Sequence, residues 1–212
     1  MKKYERYQDY VIKDGKLVGE FDQMYRDHDD PWDQSTREQS ALEKLIALEL
    51  IRRNCYKRVI EFGSGLGYFT AELATVCSQV LGVDVSKTAI TRARQRHPYL
   101  TFEKADLLDF DVIRRFHPDC LLMAEITWYV LPKLEAFKAF LRTEFGGGGA
   151  HVGFIHLLMT YRDDEQKYGH EFFTNIDQIM AWWDCITFKE WGTFSRPEYK
   201  GGKRTFCYGI IK

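Results

Sequence analysis

Neither sign of charge predominates in this chain. Its 30 lysines and arginines meet 31 aspartates and glutamates, a net charge of −1. No global positive field is present to hold a phosphate backbone, so nucleic acid is not expected as the main partner. Cysteine is scarce and scattered: the five stand at positions 55, 77, 120, 185 and 207. With no CxxC pair and no Cys/His cluster of zinc-site spacing, no metal is expected and the thiols read as reduced. No apolar run approaches the ~20 residues of a membrane span. The opening MKKYERYQDYVIKDGK is too polar for a signal peptide. A soluble, cytoplasmic protein without a membrane partner is therefore expected. The 16 glycines and 5 prolines in 212 residues exclude a collagen-like or disordered composition. Aromatic residues are plentiful, many of them toward the two ends, where a pocket for a flat ligand can be built. At roughly 100–200 residues per domain the length is that of one domain, read as a cap over residues 1–40 and a core over 41–212.

The core alternates short apolar runs with helical patterns. Arg58–Phe62, Gln79–Val83, Leu100–Lys104, Asp119–Glu125 and Ala150–His156 are strand-like and bounded by Gly, Asp or Pro. Between them Tyr68–Cys77, Lys87–Arg96, a short segment near Val112–Phe116, and Lys133–Leu141 carry helical spacing. Ser40–Ile51 precedes them as an amphipathic helix, and Asn175–Trp183 follows them as another. The runs Thr187–Phe194 and Arg204–Ile211 have no room for a crossover helix between them and must pair antiparallel. The expectation is an α/β protein of the Rossmann-like kind, with a seven-stranded, mostly parallel sheet, one antiparallel strand in a C-terminal hairpin, and helices on both faces.

The first core strand runs into Gly63-Ser64-Gly65-Leu66-Gly67 and then a helix. Glycines at such a turn let a ligand approach bare backbone. A dinucleotide fingerprint, G-x-G-x-x-G/A, would want a small residue where Tyr68 stands. Glu61, two residues before Gly63, would repel a pyrophosphate by a few kcal/mol at an effective dielectric of ~20 and attract a cation by as much. Asp84 closes the second strand and is placed to accept from ribose hydroxyls. These features suit a nucleoside bearing positive charge and no phosphate.

VIEFGSGLGYFTAEL followed by VLGVDVS resembles motif I and the acidic-loop motif of class I S-adenosylmethionine-dependent methyltransferases. The resemblance continues at Ala105-Asp106-Leu107 and Ala124-Glu125-Ile126. It implies S-adenosyl-L-methionine as cofactor and specific roles. Glu61 would face the methionine ammonium or sulfonium, Gly63, Ser64 and Gly65 would line the backbone cradle, and Asp84, with Val85 after it, would meet the ribose. Asp106 and Leu107 would hold the adenine edge and Glu125 would lie beside the methionine part. The segment Asp30-Pro31-Trp32 and the stretch AEITWYVL are similar to nodulation-factor N-methyltransferases and related enzymes acting on sugars and small amines. Trp32 would then fold over the cofactor or anchor as an ordinary aromatic.

For the acceptor half, His156 is the candidate general base, because it is read as ending its strand on the ligand side, whereas His151 begins it. Tyr129 after the fourth strand, and His170 in the long polar loop Leu157–Phe173, are candidates for acceptor binding. A small soluble acceptor methylated on nitrogen or oxygen is expected, a sugar or amino sugar among the possibilities. A non-catalytic donor-binding or partner-binding protein of the same fold and a nicotinamide-dependent oxidoreductase are the alternatives, the second disfavoured by Glu61 and Tyr68.

Overall fold

The computed structural model describes residues 2–35, 41–147, 151–160, 168–169, 171–195 and 202–212. Five strands, β3 (Arg58–Phe62), β4 (Gln79–Asp84), β5 (Thr101–Lys104), β6 (Cys120–Ala124) and β7 (Gly153–Thr160), run parallel. The helices that alternate with them are α3 (Tyr68–Leu73), α4 (Lys87–Arg96), α5 (Phe110–Phe116), the single turn α6 (Thr127–Val130) and α7 (Leu134–Phe145). Before them stands α2 (Leu42–Arg53), and after them come α8 (Ile176–Trp182), β8 (Ile186–Phe194) and β9 (Lys203–Ile211). The sheet order is β5-β4-β3-β6-β7-β9-β8, with β9 antiparallel to both its neighbours. The expected Rossmann-like sheet with one antiparallel strand is therefore what the chain forms.

Strands such as CLLMA are apolar throughout because both faces are covered. On one face Ile60, Phe62, Leu121 and Phe154 pack with Phe137, Leu141 and Trp183. On the other Val59, Leu122, Ile155 and Leu157 pack with Ala47, Ile51, Phe69 and Leu73.

One boundary corrects the sequence reading in a way that matters. The strand expected over 150–156 starts three residues later and ends four later, paired with β9 from Gly153↔Ile210 to Thr160↔Lys203. Its first residue is Gly153, where a side chain would strike the Tyr56 ring at 2.4 Å. It continues past His156 because Leu157 and Leu158 each find a core to enter. His156 therefore lies in mid-strand and is wholly buried.

The cap is more structured than expected. A 3-10 turn (Tyr7–Tyr10) leads into β1 (Ile12–Lys13) and β2 (Lys16–Leu17), a hairpin turning through Asp14 and Gly15, both at positive φ, and then into α1 (Phe21–Asp27). Tyr10, Val11, Met24 and Tyr25 bury against Leu66 and Ala89 of the core. Asp22 fastens the unit: its Oδ1 accepts from Ser86 Oγ at 3.0 Å and from the Thr88 amide at 2.8 Å, at the start of α4. Arg92, further along α4, donates to the carbonyls of His28 and Asp29 at 3.0 and 3.1 Å.

Candidate active site

In this strand order the direction of winding reverses between β3 and β6, and ligands of open α/β sheets bind in the crevice outside such a switch point. A cavity of about 530 Å³ opens there, within the range of small-molecule sites. Its floor is the turn after β3. The amides of Gly63 and Ser64 both donate to the Val83 carbonyl at 2.8 and 3.0 Å, tying the turn to β4. Gly63 has φ +83, and a Cβ there would lie 2.1 Å from Ile126 Cγ2. Only a bare backbone fits. A Cβ at Gly65 would meet Gln34 Oε1 at 2.6 Å and the Tyr25 hydroxyl at 2.7 Å, both from the cap.

Asp84 ends β4 on the cavity wall with Val85. Its carboxylate accepts from the Gly65 amide at 2.9 Å and the Ser86 amide at 2.8 Å. Burial raises its pKa to about 6, while those two amides pull it down. Asp106 and Leu107 lie on the wall beyond β5. Asp106 accepts from the Leu108 amide at 3.1 Å through Oδ1 and pairs through Oδ2 with Lys133, which follows α6. Glu125, after β6, takes φ +59 and is ion-paired to Arg204 of β9, both on the wall. The roof is aromatic: Trp32 lies 5.0 Å from Tyr7 and 5.6 Å from Tyr129, centroid to centroid, and Phe21 lies 5.6 Å from Tyr129.

Gly63, Asp84, Val85, Asp106, Leu107 and Glu125 thus share one cavity with Trp32 and Tyr129. Other candidates lie elsewhere. Glu61 is buried behind the turn, accepting the Thr70 hydroxyl. Burial raises it to about 7, with the Thr70 bond and the charge of Lys44 opposing, and it is not among the wall residues. The Ser64 hydroxyl is likewise enclosed, and Gly65 lies beneath Gln34 and Tyr25. His156 is the plain correction. Its Nε2 meets Thr127 Oγ1 at 2.5 Å, Trp183 packs edge-on against it, and burial drives its pKa down to about 3. A ring so placed does not reach the cavity. His170 lies outside the described residues.

Sequence reasoning missed Tyr25, Gln34, Lys44, Lys133, Met159 and Arg204, all on the wall. Gln34 Oε1 accepts from the Leu66 amide at 2.9 Å, so the cap reaches the glycine turn itself. The available signal was the pair Lys203 and Arg204, charges at the head of a strand that is otherwise uncharged, KRTFCYGII.

A glycine turn at the switch point, an acid closing the next strand, a second acid after β6 and an antiparallel strand inserted near the sheet edge define a class I S-adenosylmethionine-dependent methyltransferase. The family model described as Nodulation protein S (NodS) matches residues 19–143, more than half of the chain. The chain belongs to that family. Among solved structures it is similar to the N-methyltransferase NodS from Bradyrhizobium japonicum WM9 in complex with S-adenosyl-L-homocysteine. That likeness has a TM-score of 0.64 and 19% identity over 87% of this chain and 93% of the other. The PH0226 protein from Pyrococcus horikoshii OT3 gives 0.63 and 16% over 89% and 98%. The magnesium protoporphyrin IX methyltransferase from Synechocystis PCC 6803 with bound S-adenosylmethionine gives 0.55 and 12% over 97% and 90%. At these identities the likeness is one of fold. A curated relative, the biotin biosynthesis bifunctional protein BioHC of Cellvibrio japonicus (strain Ueda107), is 44% identical over 41 residues, 19% of this chain and 8% of that protein. Among the described residues no helix is long and apolar enough to cross a membrane.

Proposed function

We propose that the chain transfers a methyl group from S-adenosylmethionine to a nitrogen or oxygen of a small polar acceptor, an amine on a sugar being the favoured case. The observation that carries this is the pairing of Asp84 and Glu125 on opposite sides of Gly63 in one cavity. The residues fit the donor. The space at Gly63 admits no side chain, and the Asp84 carboxylate, held by two amides, is oriented to accept from a ribose diol. Asp106 and Lys133 offer an acceptor and a donor side by side to the edge of the base.

The bound donor supplies a methyl group on positively charged sulfur, whose charge is lost on transfer. The chain's own contribution is alignment and exclusion of water. Tyr7, Phe21, Trp32 and Tyr129 close the cavity with apolar ring faces, and Tyr129 and Trp32 are the groups on which the acceptor would pack. Glu125 is the carboxylate placed to hold an amine and to take its proton. That role does not fall to His156, which is enclosed in the core. His170 keeps its expected part in acceptor binding as a proposal. The similarity to the Bradyrhizobium protein, an N-methyltransferase, supports nitrogen over oxygen.

Calorimetry with S-adenosylhomocysteine and NAD tests the donor, and a methylation screen over amines, sugars and phenols tests the acceptor. Micromolar binding of S-adenosylhomocysteine without NAD, and turnover on an amine, are expected. Binding of NAD alone would overturn the reading.

A further inference from the structure

Arg204 is an unusual wall residue. It lies at the head of β9, opposite Met159 of β7 and Phe194 of β8 in register, and is only 8% exposed. Two carboxylates hold it. Glu43 of α2, 1% exposed, stands 3.5 Å from its Nη1, and Glu125 meets the same nitrogen. Two carboxylates thus share one guanidinium, and of the two only Glu125 is on the cavity wall. The Glu125 backbone is fixed as well. Its amide donates to the Leu157 carbonyl at 2.8 Å, and its φ of +59 is one that residues with side chains avoid. A buried guanidinium, a buried second acid and a constrained backbone converge on one carboxylate, more than a solvated side chain needs.

The sheet order says which end of the cavity this is. β4 and β6 flank β3, so Asp84 and Glu125 stand on opposite sides of Gly63. A Cβ at Gly63 would lie 3.7 Å from the Ala124 carbonyl, beside the Glu125 turn. A nucleoside whose diol meets Asp84 extends across Gly63 toward Glu125. We propose that Arg204 is a positioning residue: gripped by Glu43, it fixes the Glu125 carboxylate at the reacting end of the cavity, so that this wall selects a positively charged centre in the ligand. The proposal rests on the methyl-transfer reading.

The test compares two donor analogues by calorimetry. S-adenosylhomocysteine carries a neutral sulfur; sinefungin carries an ammonium-bearing carbon in its place. The parent chain should bind sinefungin at least about tenfold tighter, the scale of a charge-assisted hydrogen bond. Glu125→Gln should bring the two within about threefold, with sinefungin losing more affinity than S-adenosylhomocysteine. Arg204→Met should collapse the preference in the same way, and the double variant should lose no more than either single one.

Opposite signs separate the alternatives. If Arg204 merely neutralised Glu125, its removal would raise the sinefungin preference, and that result overturns the proposal. So does a preference unchanged in either variant, or absent from the start. Should Arg204→Met fail to fold because Glu43 is orphaned, Glu43→Gln with Arg204→Met removes the orphan, and Glu125→Gln alone still decides whether the wall selects charge. Failure to bind either analogue overturns the donor reading itself and this proposal with it, whereas binding without discrimination overturns this proposal only.

Discussion

On the glycine side of the cavity the backbone does the shaping: Gly63 and Ser64 tie to Val83, Gly65 to Asp84, and all of it comes from residues 61–86. On the cap side the shaping is done by side chains gathered from across the chain, with Trp32 against Tyr129 and Gln34 reaching Leu66. The first wall is rigid because its alternatives are sterically forbidden. The second is a set of contacts that can be exchanged one at a time. The two walls meet where Gln34 accepts from the Leu66 amide, so a substitution at that one point of the cap reaches the glycine turn as well.

The sharpest way to break the contrast is Gly63→Val. The positive φ costs about 1–2 kcal/mol, and overlap with Ile126 adds about 1–3 kcal/mol or more. S-adenosylhomocysteine binding should vanish in calorimetry, with a lowered melting temperature. His156 belongs to neither wall and should behave so. Its ring protonates near 6.5 when unfolded but only at about 3 when folded. Its contribution to stability is therefore complete above about pH 6.5 and lost as pH falls toward 3. His156→Leu should cost about 1–3 kcal/mol at pH 8 through the Thr127 hydroxyl left unpaired. It should also flatten the acid limb of melting temperature against pH, and leave the pH profile of turnover unmoved.

Asp84→Asn tests the ribose contact and should weaken S-adenosylhomocysteine binding by about 1.5–3 kcal/mol, or roughly 10–150-fold. The sign of the pH effect follows from its raised pKa. The folded, ligand-free chain favours the protonated form up to about pH 6, so Asp84 contributes a loss of stability as pH rises from about 4 through 6. Binding uses the ionised form, so affinity should climb through the same window, and this climb should disappear in Asp84→Asn. Asp22→Ala has the smallest expected effect. Losing the Ser86 and Thr88 bonds should loosen the cap by about 1–2 kcal/mol, seen as faster amide exchange over residues 2–35 while melting of the core is unchanged. Equal protection in variant and parent would show that the cap is held by its aromatic packing alone.

The glycine turn and the acid beside it were legible in the sequence because backbone geometry leaves a local trace. Glycines at alternate positions after RVIEF, and an aspartate closing QVLGVD, are requirements written within a few residues of where they act. Glu61 misled in part, since a carboxylate next to such a turn is indistinguishable in sequence from one tucked behind it against Thr70. His156 misled because a polar residue inside an apolar run was read as its end, whereas the run goes on into LLMT. The cap hairpin went unread although Asp-Gly is the ordinary signal for such a turn, because its strands are only two residues each. The Glu43–Arg204–Glu125 cluster left almost no trace, because its members are brought together only by the sheet order.

The insertion of β9 between β7 and β8 has a consequence for how the molecule comes into being. A chain emerging from the ribosome exposes β8 before the strand it must pair with has been made, so β8 has to wait without a partner. The same delayed strand delivers Arg204. The Glu43–Arg204–Glu125 cluster is therefore the last part of the cavity wall to assemble.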